Sequence, residues 1–174
     1  MGNNDNLDAF IRTIPDFPIP GIQFKDITTL LRNGPAFHQV IDALVERYRD
    51  RKIDAVVGVE SRGFIISAPL AYQLGVGLVP VRKSGKLPAE VYRVEYELEY
   101  GTNKLEIHRD SFQPGARVIV VDDLLATGGT IEAASQLIEQ AGAVVEELAF
   151  LIELSFLHGR DRLARYPIFS LITY

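Results

Sequence analysis

The apolar positions of this chain fall into short blocks with two different periods, and the blocks predict alternating strands and helices. Ala55-Val56-Val57-Gly58-Val59, residues 77–81, Val118-Ile119-Val120-Val121, a run within residues 144–154, and residues 168–172 are short and rich in β-branched side chains. Runs of this kind suit strands buried on both faces of a parallel sheet. Between them, Phe37, Val40, Ile41, Leu44, Val45 and Tyr48 make a helical stripe over about residues 36–51. Residues 64–74 read as a second apolar helix. Ala133, Ala134, Leu137 and Ile138 give one face to a third over residues 131–141, which Gly142 stops. Strand, helix and strand at this spacing form a βαβ unit with a right-handed crossover.

Two stretches depart from that rhythm. Residues 91–100 alternate strictly, with Tyr92, Val94, Tyr96, Leu98 and Tyr100 opposite Arg93, Glu95, Glu97 and Glu99, which predicts a half-exposed strand. Gly101-Thr102-Asn103 permits a turn into Leu105-Glu106-Ile107, completing a hairpin that is a natural candidate for a movable flap. At the start, Leu7, Phe10, Ile11 and Ile14 recur at helical spacing behind Asp5 or Asn6, so a short amphipathic helix is expected. Residues 15–28 then hold three prolines and a glycine among Phe17, Ile19, Ile22, Phe24 and Ile27. The prolines forbid a regular central strand or helix, yet so apolar a segment should lie on something. It is either a packed terminal arm or a lid over a flat, greasy ligand. Residues 159–163 read as a polar turn or short helix. With 174 residues and no internal repeat or linker, the chain is expected to be one α/β domain.

Composition narrows the function by exclusion. A net charge of −5 disfavours a nucleic-acid partner held by a general positive field. The absence of cysteine removes disulfides, thiolate chemistry and Cys-based zinc sites, and His38, His108 and His158 are too scattered to suggest a metal site. No signal peptide or membrane-spanning run is visible, so a cytoplasmic protein with no membrane partner is expected.

Candidate chemistry centres on Arg117 to Thr130, RVIVVDDLLATGGT. Asp122 and Asp123 are expected to end a buried strand, putting two carboxylates at its carboxyl end, where open α/β sheets bind ligands. Thr127-Gly128-Gly129-Thr130 follows and runs straight into a helical pattern. Such a loop can turn backbone N–H groups and hydroxyls toward one anion, with the helix N-terminus adding positive partial charge. Carboxylates accept from hydroxyls and repel phosphates, so the ligand is expected to be a monophosphate borne by a polyol; a phosphorylated sugar fits. Neither GxxxxGK[ST] nor GxGxxG is present. Arg82-Lys83-Ser84-Gly85-Lys86 puts three cations in five residues of an acidic chain. On charge alone this is a solvated loop; beside a second loop bearing Arg62, it is also what a diphosphate needs.

The segment 117–130 resembles the phosphoribosyl-diphosphate (PRPP) motif of type I phosphoribosyltransferases. Together with IPDFPIPGIQFKDIT, ESRGF, RKSGKLP and LEYGTNKLEIHRD, in that order, the chain resembles the adenine phosphoribosyltransferase family from about Ile14 to its end. The resemblance implies a twisted, mostly parallel sheet flanked by helices, with an N-terminal hood (residues 1–34) and a basic loop with a flexible hairpin flap (residues 82–107). It implies conversion of adenine and PRPP to AMP and diphosphate with Mg²⁺, by a homodimer. Carried over by residue, it assigns the ribose hydroxyls to Asp122 and Asp123 and the 5′-phosphate to Ala126, Thr127, Gly128, Gly129 and Thr130. Diphosphate falls to Ser61, Arg62, Arg82, Lys83 and Lys86, with Arg82 reaching toward a neighbouring subunit's site and a strained or cis peptide at Glu60–Ser61. Phe24 and Leu124 would sandwich adenine, and backbone groups near Gln23 and Lys25 would read its edge. Glu99, by its pattern simply a solvated strand residue, takes by resemblance the N9 proton of adenine. Mg²⁺ is expected to bind through substrate oxygens rather than in a protein cage. Lys25 stands where many relatives carry arginine and loses its planar fork, and Glu60 replaces an aspartate. The scaffold alone admits other bases such as hypoxanthine, xanthine or orotate, or a PRPP-sensing regulator. The apolar hood favours adenine, and the presence of both basic loop and flap disfavours the regulator.

Overall fold

Strand pairing sets where the chemistry sits. The computed structural model describes residues 7–97 and 102–174, and the chain divides into two compact units, residues 1–47 and 48–174.

In the first unit, β1 (Arg12–Pro15) and β2 (Gln23–Asp26) form an antiparallel two-stranded ribbon running from Arg12 opposite Asp26 to Pro15 opposite Gln23. The expected opening helix is not there: a single 3-10 turn at Asp8–Phe10 leads into the strand. Two physical reasons decide this. Thr13 and Ile14 are β-branched, and Ile14 precedes Pro15, whose ring disfavours the helical region for it. The Arg12 guanidinium also pairs with the Asp26 carboxylate, and Lys25 Nζ donates to Thr13 Oγ1 at 3.0 Å. With Arg12 and the N–H and hydroxyl of Thr28 all donating, the Asp26 carboxyl is drawn down to about 2. Residues 16–22 carry the remaining prolines outside any strand, and the Phe17–Pro18 peptide is cis. Phe17, Ile19 and Ile22 are exposed rather than covered, although the Phe17 ring meets Phe24 edge-on at 5.2 Å. A single turn, α1 (Thr28–Leu31), leads to α2 (Gly34–Tyr48), where Asn33 Oδ1 accepts from the Ala36 N–H at 3.0 Å and Val40, Ile41, Leu44 and Tyr48 are buried.

The second unit is a seven-stranded sheet in the order β5-β6-β4-β3-β7-β8-β9. The strands are β3 (Ala55–Val59), β4 (Gly77–Lys83), β5 (Val91–Glu97), β6 (Thr102–His108), β7 (Arg117–Leu125), β8 (Val144–Glu153) and β9 (Ile168–Thr173). From β4 to β9 neighbouring strands run parallel, and the β5-β6 hairpin adds antiparallel at the β4 edge. Helix α3 (Gly63–Leu74) packs over β3, β4 and β7, and α4 (Gly129–Gln140) over β5, β6 and β8; a short α5 (Gly159–Arg162) completes the set. Val57, Val59, Val118 and Val120 share one buried cluster with Ile131, Ala134 and Leu137 of α4, while Val56, Ile119 and Val121 alternate to the other face.

Two strands outrun their expected ends. β4 continues through Arg82 and Lys83 because β6 pairs with those residues, Arg82 opposite Glu106 and Lys83 opposite Leu105. β7 continues through Asp122 and Asp123 to Leu125 because β8 is long enough to pair along it. In the hairpin, Thr102 and Asn103 belong to β6 rather than to the turn, opposite Glu97 and Tyr96.

Candidate active site

After β3 the chain turns one way into α3 and β4; after β7 it turns the other way into α4 and β8. The carboxyl ends of β3 and β7 therefore border the crevice where strand order reverses, the usual binding position in open α/β sheets. A cavity of about 370 Å³ opens there, lined by residues 60–62 after β3, Lys83 of β4, and residues 122–131 of β7 and α4.

Its first wall is the loop into α4. Gly128 caps α4 with φ +86°, and its carbonyl accepts the first helical bond from the Glu132 N–H at 2.9 Å. The N–H groups of the first turn have no acceptor within the helix, so they and the hydroxyls of Thr127 and Thr130 can serve one anion. The loop is backed by α5 at glycine-only contacts. A Cβ on Gly128 would lie 2.9 Å from the Gly159 carbonyl oxygen, and one on Gly159 would collide with the Ala126 carbonyl. Arg160 holds that backing in place through Nε and a terminal nitrogen donating to both oxygens of buried Glu153, each at 2.6 Å.

The floor is acidic. Asp123 is buried, its N–H donates to Asp122 Oδ1 at 2.9 Å, and Arg62 Nε pairs with Asp123 Oδ2 at 2.8 Å. Burial and the facing Asp123 charge push the Asp122 carboxyl well above the ordinary aspartate range. Burial raises Asp123 too, although Arg62 pulls against it. Gly63 opens α3 directly against this pair; a Cβ there would lie 2.8 Å from Asp122 Oδ1. Two carboxylates under incomplete compensation can accept from hydroxyl donors.

The third wall is the basic stretch, and it is held from behind by carboxylates. Glu60 accepts from the Lys83 N–H at 3.0 Å and from Arg82 Nε at 3.2 Å. Burial works against its ionisation, but these donors outweigh it and keep the carboxyl below its usual range. Arg82 is thus engaged within its own chain, also donating to the Lys86 carbonyl at 3.3 Å. The Glu60–Ser61 peptide is cis, as the resemblance implies.

The structure therefore brings Ser61, Arg62, Lys83, Asp122, Asp123, Leu124, Ala126, Thr127, Gly128, Gly129 and Thr130 to one cavity. Arg82 and Lys86 flank it without lining it. Gln23, Phe24 and Lys25 stand on β2 in the first unit. Glu99 lies outside the described residues. Sequence reasoning missed Tyr96, Asn103 and Leu105 as lining residues; the Tyr96 hydroxyl comes within 3.4 Å of Thr130 Oγ1. The signal was available, since the alternation that turns Tyr92 and Val94 inward does the same for Tyr96.

A family profile described as "Phosphoribosyl transferase domain" matches residues 26–166. Adenine phosphoribosyltransferase of Chloroflexus aurantiacus is 72% identical over 169 residues, covering 97% of this chain and 98% of the relative. The chain belongs to the adenine phosphoribosyltransferase family. Solved structures agree in fold: the family member from Thermoanaerobacter pseudethanolicus is 54% identical with a TM-score of 0.95, covering 98% of this chain and 99% of that one. The Saccharomyces cerevisiae member, solved with an imino-altritol bisphosphate and adenine, is 45% identical with a TM-score of 0.92 over 97% of each chain. The family's type I fold is the mixed seven-stranded sheet with flanking helices described above. Among the described residues, no helix is long and apolar enough to cross a membrane.

Proposed function

We propose that this chain transfers the 5-phosphoribosyl group of PRPP to adenine, giving AMP and diphosphate in purine salvage. The observation that carries the reading is the pairing, in one crevice, of a helix-headed anion cradle, a hydroxyl-seeking acid pair, and cations at Arg62 and Lys83. In this reading the 5′-phosphate rests on residues 126–130 and the ribose hydroxyls donate to Asp122 and Asp123. The diphosphate faces Ser61, Arg62 and the basic stretch with Arg82, Lys83 and Lys86. The C1′–O bond breaks with its electron pair leaving on diphosphate while N9 of adenine bonds to C1′, and the N9 proton passes to Glu99. Preorganised cations and N–H groups stabilise the charge that develops on the leaving group. The adenine contacts assigned to Gln23, Phe24, Lys25 and Leu124 rest on resemblance. Residues 1–174 are taken as one functional domain, acting in the cytoplasm.

Mg²⁺ fits the donor set: the floor offers carboxylate oxygens only, and Arg62 already occupies part of Asp123. Such a site suits a hard cation held mainly through substrate oxygens, beside Asp122 and Asp123. The chemistry it supplies when bound is screening of the diphosphate charge. A homodimer is supported by α3, which is apolar on several sides and leaves Ile65 and Tyr72, two turns apart on one face, exposed. Tyr72→Glu should then shift sedimentation from dimer to monomer; a chain that sediments as a monomer without the substitution refutes the dimer.

Initial rates of nucleotide formation with adenine, hypoxanthine and xanthine, each with and without PRPP and Mg²⁺, test the function. AMP formation that needs both and strongly prefers adenine is the expected result. Preference for an oxopurine, or no turnover with any base, rejects it.

A further inference from the structure

Glu106 sits in the middle of β6 and is 1% exposed, yet nothing in the reaction above uses it. An acid this deep survives only if its charge is fully compensated. Its donors come from two separate pieces of chain. Ser84 Oγ donates at 2.6 Å and the Gly85 N–H at 2.8 Å, both from the turn that follows β4. Arg93 of β5 donates through Nε at 2.7 Å and a terminal nitrogen at 2.5 Å. Burial opposes ionisation, the donors overcome it, and the carboxyl lies below its ordinary range. Across the sheet, Glu106 stands between Arg82 on one side and Arg93 on the other.

One carboxylate thus ties the basic loop to both strands of the hairpin. The turn it grips, Ser84–Gly85, lies between Lys83, which lines the cavity, and Lys86. Gly85 has φ +81°, so the turn is already a conformation few residues adopt, and its N–H is aimed at Glu106. A negative group this close to an anion site is tolerable because its charge is spent on Arg93 and the turn. Its remaining effect is geometric.

We propose that Glu106 is the positioning residue of the diphosphate subsite: it sets the Ser84–Gly85 turn so that Lys83 and Lys86 are held for the leaving group, and it couples the hairpin to that loop. The proposal rests on reading the basic loop as the diphosphate contact.

The test is Glu106→Gln, which keeps shape but turns an amide N–H₂ toward donors. Affinity for diphosphate is measured in the reverse reaction, beside direct binding of AMP, which carries no diphosphate. A geometric role for one subsite should raise the diphosphate KM by about tenfold to a hundredfold, the usual scale for an ångström of misplacement, with AMP affinity unchanged. Ser84→Ala, which removes one donor and little else, should move the diphosphate KM the same way by a smaller factor, and it carries the test if Glu106→Gln does not fold. Equal weakening of AMP and diphosphate would make Glu106 a purely structural residue and overturn the proposal, as would no change in either. Lys83→Ala and Lys86→Ala separate the two levels. If they leave diphosphate affinity intact, the reading of the loop fails; if they weaken it while Glu106→Gln and Ser84→Ala do not, only the role of Glu106 fails.

Discussion

Asp122→Asn should make the free protein more stable while weakening its hold on PRPP. Asp122 and Asp123 are both pushed above the ordinary aspartate range, by burial first and, for Asp122, by the facing charge of Asp123. Arg62, on Asp123 at 2.8 Å, and the Asp123 N–H, on Asp122 at 2.9 Å, offset part of this. The folded pair therefore keeps protons to a higher pH than the same residues in the unfolded chain. From the ordinary aspartate value near 3.8 up to the raised values, the folded state binds more protons, so stability falls as pH rises, and the cost is complete only above the raised values. Asparagine preserves the acceptor for the Asp123 N–H, 2.9 Å away, and removes one of the two charges. Relief of this kind at a functional site is worth about 0.5–2 kcal/mol. In a chain of this size each kcal/mol moves Tm by about 2–4 °C. A charged-acceptor hydrogen bond to a ribose hydroxyl contributes about 1.5–3 kcal/mol, so PRPP affinity should fall roughly tenfold to 150-fold. Thermal melts of both proteins from pH 4 to 8, without ligand, give the stability side; PRPP titration gives the other. The Tm gain should be small near pH 4 and grow as pH rises. A variant that melts lower at pH 7, or a difference independent of pH, refutes the electrostatic argument.

Two further outcomes follow from specific contacts, and a third from the proton transfer proposed for Glu99. Gly159→Ala places a methyl against the Ala126 carbonyl and 2.9 Å from Leu125 Cδ1, so it should displace the phosphate cradle. Affinities for PRPP and AMP should both fall, and an alanine variant that binds AMP normally would contradict the backing role. Arg160→Ala strands the buried Glu153 carboxylate with Ser170 as its remaining side-chain donor, which should cost about 1–3 kcal/mol in chemical denaturation. Because hydrogen bonding from Arg160 lowers the Glu153 carboxyl, that stability is present above the ordinary glutamate range and lost as pH falls through the lowered value, so the variant and parent should converge in acid. Glu99→Gln keeps size but not basicity and should lower kcat about 10²–10⁴-fold with little change in PRPP binding; unchanged turnover removes Glu99 from proton transfer.

Much of this architecture is legible in local pattern. Residues 55–59 run as a strand between helices of clear period, and they form β3 with the expected bounds. Asp122-Asp123 and Thr127-Gly128-Gly129-Thr130 line one cavity, as their spacing predicts, because a strand end and the loop that follows it are local arrangements. Features set by distant partners were not legible. Arg82 and Lys83 look like loop residues until β6 pairs with them, and residues 12–14 look helical until β2 supplies a strand partner. Glu106 reads as the solvated position between Leu105 and Ile107. Its donors lie 22, 21 and 13 residues away, beyond any periodicity. Gly159, against the Ala126 carbonyl, is hidden for the same reason.

The central claim is an orientation: one end of the crevice anchors a 5′-phosphate and the other a diphosphate, with the acid pair between them. A crystal structure of the protein with PRPP and Mg²⁺ tests it most directly. The 5′-phosphate should lie on the N–H groups of residues 126–130, the ribose hydroxyls within hydrogen-bond reach of Asp122 and Asp123, and the diphosphate beside Ser61, Arg62 and Lys83. PRPP bound in the opposite sense, or seated away from this cavity, would contradict the account.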